Sequence, residues 1–273
     1  MNISDRIAHA QLAYAYAALG TPRARVVRAG LWLAFFVSVA AAWHLAGVDL
    51  ARLATGIPKM GHWLAQAWPP ALTELPIFIV RMGETVAIAF LGTLLAVLAA
   101  VPIAFAAARG VTPLPLLRVP LRWVLNAFRG VDSFVFALIL VAAVGLGPFA
   151  GMLGVALHTW GSAAKLFADQ IESTPLESSE ALEAGGAGRL VAFRFGLLPD
   201  LAPAWASIGL YLFEFNVRAS TVLGVVGAGG IGQELKSSMD LLDFARLATI
   251  IVVILIAVTA IDTFSAWIRR RLA

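Results

Sequence analysis

Long runs of apolar residues constrain this chain more than any other feature of its sequence. A helix needs about 20 mainly apolar residues to cross the hydrocarbon core of a bilayer. Of the 273 residues, 60% are hydrophobic and 13% are charged, and the mean hydropathy is +0.87. We therefore expect an all-α membrane protein with about six transmembrane helices. The predicted spans are residues 31–46, 84–108, 123–144, 149–168, 201–226 and 245–267.

The basic residues predict how the chain is oriented. Most of them lie near the N-terminus, in the loops 109–122 and 169–200, and at the C-terminus, which fall on one side of a six-helix arrangement. Because cytoplasmic segments carry an excess of Lys and Arg, we expect both termini to be cytoplasmic. The predicted organisation is an N-terminal segment 1–28, a first helix with a periplasmic loop at 29–83, and the main transmembrane domain 84–273.

Composition also excludes several classes of function. The chain has no cysteine, so it cannot form disulfides or use thiol catalysis. A net charge of +4 could suggest nucleic acid, but the basic residues lie at the ends of apolar runs and form no continuous stripe, so no nucleic-acid partner is expected. The first apolar run could alternatively be a cleaved signal peptide, although the leader of residues 1–28 is long for one.

Charged and polar residues within the fifth span are candidate functional groups. Arg218 lies inside this apolar run, where a bare guanidinium is costly, so it must face a partner, water or substrate. Glu214 lies four residues earlier on the same helix face and could neutralise it. Two interpretations stay open at this point, a transport path and a structural ion pair. Asn216, Ser220 and Thr221 add neutral hydrogen-bonding groups to the same segment.

Other intramembrane polar groups carry weaker expectations. His158 and Lys165 lie roughly on one helix face, which is compatible with a proton relay but favours hydrogen bonding between helices. Asp262 is expected to pair with the arginines that follow it. No role is assigned to Gly130 or to Asp132. Aromatic side chains expected to anchor the membrane interfaces are Trp123, Trp160, Trp205 and Trp267.

A glycine-rich segment at residues 227–232 matches the dinucleotide fingerprint G-x-G-x-x-G. That fingerprint needs a preceding strand and a soluble unit of alternating strands and helices, whereas here a predicted span precedes it. The context therefore argues against nucleotide binding, and a membrane-bound oxidoreductase stays a rival hypothesis that a nucleotide-binding assay would test. We expect instead a tightly folded external loop that contributes to a gate. The glycines assigned to this gate loop are Gly227, Gly229, Gly230 and Gly232.

The polar block 169–200 stands between two apolar runs. Good helix formers in residues 176–191 are mixed with Gly185, Gly186 and Gly188, which predicts a short helix, a glycine turn and a second helix. A plain solvated connection is the alternative.

This block resembles the EAA loop of permease subunits in binding-protein-dependent ABC importers. The resemblance rests on Glu180-Ala181, on Gly186 at the sixth position after the glutamate, and on Leu198-Pro199. Leu182 replaces the usual third residue, and Gly196 stands where many members have isoleucine. Further motifs narrow the resemblance to phosphonate-transport permeases, whose relatives also carry phosphite or hypophosphite. These motifs are residues 143–151, His158-Thr159, residues 216–220 and residues 226–232, and the similarity extends from about Glu84 to the C-terminus.

The resemblance implies a type I ABC importer permease architecture and a set of partners. Two ABC ATPase subunits would supply the ATP and Mg chemistry, because this chain has no Walker A sequence and is expected to bind no cofactor or metal itself. A second permease copy or paralogue, a periplasmic substrate-binding protein and the lipid bilayer complete the set. The loop would dock on the ATPase through coupling residues. These are Glu180, Ala181, Gly186, Leu198 and Pro199.

The resemblance also implies a small phosphorus oxyanion as cargo. Arg218 offers forked donors that match oxyanion oxygens, and neighbouring neutral groups avoid a deep electrostatic trap. The alternative function is an ion-coupled secondary anion transporter, in which Arg218, His158 and Asp262 would serve coupling.

Overall fold

A computed structural model describes residues 22–109 and 115–272, and all regular elements in these ranges are helical. The N-terminal part of the predicted cytoplasmic segment, residues 1–21, lies outside the described residues. The contacts divide the chain into two compact units, residues 1–62 and 63–273. The α-helices are α1 Pro22–Leu45, α2 Leu50–Gln66, α3 Leu75–Ala107, α4 Pro115–Gly130, α5 Ser133–Val144, α6 Pro148–Ser173, α7 Glu177–Ala184, α8 Arg189–Ala192, α9 Leu198–Leu223, α10 Ile231–Asp240 and α11 Phe244–Leu272.

Within the described ranges, three helices are long and apolar enough to cross a membrane by themselves. They are α1, α3 and α11, and the bent pair α4 and α5 would make a fourth span. Helices α6 and α9 have 26 residues each, so each is about 39 Å long, but both carry charged residues. Their membrane crossing, and with it the count of six spans, stays a prediction.

The second predicted span begins earlier than the sequence suggested. Helix α3 begins at Leu75 rather than at residue 84, because Pro76 occupies its first turn, where a proline is well tolerated. The preceding region, expected to be a periplasmic loop, contains α2, which accommodates Pro58 in its interior. With 33 residues, α3 is about 50 Å long and exceeds a hydrocarbon core of about 30 Å.

The third predicted span is not one helix. Helices α4 and α5 meet at 87°, so the expectation of a continuous helix over 123–144 is wrong. The Asp132 carboxylate caps α5 by accepting a hydrogen bond from the Phe134 N–H at 2.8 Å. The carbonyl oxygen of Val131 lies 2.8 Å from Nδ1 of His158. This contact agrees with the hydrogen bonding between helices that the sequence favoured for His158. Gly130 and Asp132, given no role from sequence, therefore mark a helix break.

Helix α6 packs closely against its neighbours because small residues line it. A Cβ added to Gly154 would lie 2.7 Å from the Ala137 nitrogen, and one added to Gly161 would lie 2.8 Å from Phe128 Cβ. Such side chains let helix backbones approach each other in a membrane. Aromatic residues fill the same core. Trp205 is buried and stacks on Phe167 with ring centroids 4.8 Å apart, so its expected interfacial position is wrong.

Candidate functional site

The polar block folds as the predicted helix, turn and helix. Helix α7 ends at a turn in which Gly186 has φ +88°, a conformation that favours glycine. The Gly186 N–H donates to the Glu183 carbonyl at 3.0 Å, and α8 follows at residue 189. Glu180, Ala181 and Gly186 are all exposed. Their exposure leaves this part of the loop accessible to another protein.

The opposite side of this loop is buried against the helices. After α8, residues 193–197 form a π-helical segment that leads directly into α9 at Leu198, with Pro199 in its first turn. Phe193 packs edge-on against Phe105 of α3 at 4.6 Å. Gly196 is buried and lies so close to α7 that an added Cβ would be 2.8 Å from the Ser179 Cα. The isoleucine that many EAA loops have at this position would not fit this packing.

Asn216 forms a hydrogen-bonded node in the helix core. It is 1% exposed, and its side-chain amide donates to the hydroxyl oxygens of Thr93 at 2.8 Å and Thr159 at 2.9 Å. These contacts join α9 to α3 and α6. Sequence reasoning placed Asn216 on a transport path, named Thr159 only as part of a family motif, and missed Thr93, whose only signal was a hydroxyl within an apolar helix. Ser220 and Thr221, also assigned to the path, are buried as well.

Two ion pairs join α9 to α11. Glu214 accepts a hydrogen bond from Arg269, and Arg218 Nη1 lies 3.5 Å from Asp262 Oδ2. Glu214 and Arg218 therefore do not form the ion pair along one helix that the sequence left open as an alternative, and the expected pairing of Asp262 with the arginines that follow it is wrong. The two helices run antiparallel, and this packing brings each charge closer to a partner on the other helix than to one on its own.

Arg218 differs from the other residues assigned to the path in its exposure. Its side chain is 51% exposed, whereas that of Glu214 is 9% exposed. Since an exposed guanidinium within an apolar helix is unsuited to lipid, the Arg218 side chain should face water, cargo or another subunit.

The glycine-rich segment is tightly folded, as the sequence predicted. A 3₁₀ turn at Gly224–Val226 follows α9, and three of the four assigned glycines, Gly227, Gly229 and Gly230, have positive φ values. A Cβ on the fourth, Gly232, would lie 2.3 Å from the Thr221 carbonyl oxygen. No strand occurs in the described part of the chain, so the structural context of a dinucleotide-binding fingerprint is missing here. The gate assigned to this loop stays a prediction.

A charged cluster that the sequence analysis missed joins α3, α10 and α11. Arg246 is 2.8 Å from Glu74 and 2.6 Å from Glu234. Arg81 is 2.8 Å from Glu84 and 3.6 Å from the same Glu234. The only signal in the sequence was the position of both arginines near the start of an apolar run. The described residues contain no group of three His, Asp or Glu side chains suited to a metal ion.

Comparison with known proteins places these features in a family. Residues 100–273 match the family "Binding-protein-dependent transport system inner membrane component". The chain is 42% identical over 231 residues to the "Putative phosphite transport system permease protein HtxC" of Stutzerimonas stutzeri, covering 85% of this chain and 82% of that one. It is 37% identical over 238 residues to the "Phosphite transport system permease protein PtxC" of the same organism, covering 87% and 86%.

A further relative and a solved structure agree with this assignment. The "Phosphate-import permease protein PhnE" of Mycolicibacterium smegmatis is 37% identical over 253 residues, which are 92% of this chain and 47% of that one. The fold is similar to that of a chain in the inward-facing MetNI methionine ABC transporter, with a TM-score of 0.66, 21% identity, and coverage of 74% of this chain and 99% of that chain. The chain belongs to the family of inner membrane components of binding-protein-dependent transport systems.

Proposed function

We propose that this chain is the membrane-spanning subunit of an ATP-driven importer for phosphite, phosphonate or a related phosphorus oxyanion. The observation that carries the proposal is the exposed helical loop formed by α7 and α8, which is buried on its other side against the transmembrane helices. The cargo class is supported by the two relatives named as phosphite permeases. ATP hydrolysis belongs to separate ATPase subunits, since this family supplies the membrane component.

The proposed complex contains two copies of this chain, or this chain and a paralogue, with two ATPase subunits and one binding protein. ATP and Mg²⁺ would be bound by the ATPase subunits. Glu180, Ala181 and Gly186 would dock on an ATPase, and Leu198 and Pro199 would connect the docked loop to α9. Movement of the loop would pass to α3 and α9 through the packing of Phe193 and Gly196.

The proposed transport path includes the exposed face of Arg218. A guanidinium offers several N–H donors and stays charged at all relevant pH values, so it suits an anion that must be held weakly and released. Selection at high affinity would be the task of the binding protein. Glu214, Asn216, Ser220 and Thr221 are buried, and we assign them the support of α9 behind Arg218. The glycine loop after α9 would contribute to a gate at that end of the path.

Uptake of phosphite into proteoliposomes tests the function. With ATPase, binding protein and enclosed ATP supplied, Arg218→Ala should lower phosphite uptake by roughly ten- to a hundredfold, because a hydrogen bond to a charged group contributes about 1.5–3 kcal/mol. The matched control is Arg270→Ala, which removes an exposed arginine of α11. Both variants should copurify with the ATPase. Equal uptake in the two variants would exclude Arg218 from the path.

Two further measurements separate the proposal from other classes of transport. Collapse of the proton gradient at constant ATP should leave uptake unchanged, whereas an ion-coupled secondary transporter would stop. Uptake measured in parallel with phosphite, hypophosphite, methylphosphonate and phosphate identifies the cargo. Transport of none of these anions by an assembled, ATP-hydrolysing complex would refute the assigned cargo class.

A further inference from the structure

The two ion pairs between α9 and α11 differ in how tightly they are made. Glu214 is buried and forms a direct hydrogen bond with Arg269. Arg218 and Asp262 approach only to 3.5 Å, and their side chains are 51% and 38% exposed. Charge-assisted N–H···O hydrogen bonds are usually about 2.7–2.9 Å long. The Glu214–Arg269 pair thus stabilises the contact between the two helices, while the longer Arg218–Asp262 pair is open enough for its partners to separate.

Both members of the open pair have unused hydrogen-bonding capacity. Within the described parts of the chain, the Oδ1 atom of Asp262 is buried and has no hydrogen-bond partner, and Oδ2 has only the long contact with Arg218. Among the described residues, Arg218 has no other ion pair through its side chain. A guanidinium has five N–H donors, so most of those on Arg218 stay available. An oxyanion could therefore occupy these donors without first breaking a well-formed hydrogen bond.

A transport path has conflicting electrostatic requirements at such a position. In an environment of low dielectric constant, an uncompensated guanidinium would bind a small oxyanion strongly and release it slowly. A carboxylate at the same arginine lowers the attraction without removing the positive charge.

We propose that Asp262 is an internal counter-anion that competes with the transported oxyanion for Arg218. When the cargo reaches Arg218, it displaces the Asp262 carboxylate, and the return of that carboxylate helps to release the cargo. Asp262 is a positioning residue in this scheme, because it acts on the cargo through Arg218. This inference rests on the proposed function, and it identifies Asp262 as the residue that lowers the affinity of the path for its anion.

Two substitutions of Asp262 test the inference, because one should strengthen and the other should weaken the binding of phosphite. In the purified complex with its ATPase and without binding protein, Asp262→Asn should tighten equilibrium binding of radiolabelled phosphite by roughly fivefold, since partly exposed ion pairs contribute up to about 1 kcal/mol. It should also lower the maximal uptake rate, because release becomes slower. Asp262→Glu extends the carboxylate toward Arg218, so phosphite should bind more weakly than in the wild type.

The control is Thr263→Ala at the next position of α11, where the hydroxyl donates to the Thr259 carbonyl oxygen at 2.7 Å. Its phosphite affinity should match that of the wild type. A purely structural role for Asp262 would move the affinity in the same direction in both Asp262 variants, or in neither, and that result would overturn the inference. If Asp262→Asn fails to assemble, weaker phosphite binding by Asp262→Glu supports the inference and unchanged binding overturns it.

Failure of this inference can be distinguished from failure of the proposed function. If Arg218→Ala abolishes phosphite binding while both Asp262 variants behave as the wild type, only the role of Asp262 is refuted. If the wild-type complex neither binds nor transports phosphite or the other phosphorus oxyanions, the assigned function is refuted, and the role of Asp262 fails with it.

Discussion

Replacement of Gly196 by alanine tests whether the loop that we propose to dock on the ATPase is coupled to the membrane helices through its packing on α7. The added Cβ would lie 2.8 Å from the Ser179 Cα, 2.9 Å from the Ser179 nitrogen and 3.1 Å from the Ser178 carbonyl carbon. Because non-bonded carbon atoms rest about 3.5–4.0 Å apart, α7 must move by roughly 1 Å. Overpacking of this kind costs about 1–3 kcal/mol. The shift would displace Glu180 and Ala181, which we propose to dock on the ATPase.

The assay is the ratio of phosphite transported to ATP hydrolysed in proteoliposomes that contain the complete complex. An energetic cost of about 1–3 kcal/mol at the docking surface corresponds to a roughly five- to 150-fold weaker productive contact. We therefore expect the transport ratio of Gly196→Ala to fall at least fivefold while the permease remains folded. Gly188→Ala is the matched control, because it lies in the same loop and its added Cβ meets no heavy atom within 4 Å. Equal ratios for the two variants would refute the argument that Gly196 packing couples the loop to the membrane helices.

Two further substitutions test the interior of the bundle. Asn216→Leu removes two side-chain hydrogen bonds, each contributing about 0.6 kcal/mol in membrane proteins, and should lower the thermal unfolding temperature in detergent; an unchanged temperature would show that this node does not stabilise the helix packing. Gly232→Ala places a Cβ 2.3 Å from the Thr221 carbonyl oxygen and should reduce uptake strongly, whereas Gly83→Ala, whose Cβ meets nothing within 4 Å, should not. Wild-type uptake by Gly232→Ala would argue against a tightly packed gate loop.

The helix break between α4 and α5 shows where prediction from hydropathy fails. Residues 123–144 are apolar enough to suggest one span, and hydropathy does not record helix direction. The local signal was Asp132, since aspartate is a preferred N-cap residue and follows Gly130 closely in the chain. The contact between His158 on another helix and the carbonyl oxygen of Val131 at this bend was visible only in the structure.

The polar block 169–200 was predictable to a greater extent because its signals are local. The glycine turn after α7 needs a positive φ at Gly186, and Pro199 favours a helix start, so the order of helix, turn and helix follows from residue type. The close packing of Gly196 on Ser179 joins segments that are separated along the chain, so it required the structure.

The sequence by itself determined that this chain is helical and belongs in a membrane, because backbone groups in lipid must be satisfied within each segment and the apolar runs are long enough to do so. It also located Arg218 as a charge that needs an explanation. Only the tertiary structure decided its partner. Neighbouring helices place Asp262 beside Arg218 and Arg269 beside Glu214, and such contacts depend on how helices pack, which residue spacing along one helix does not specify.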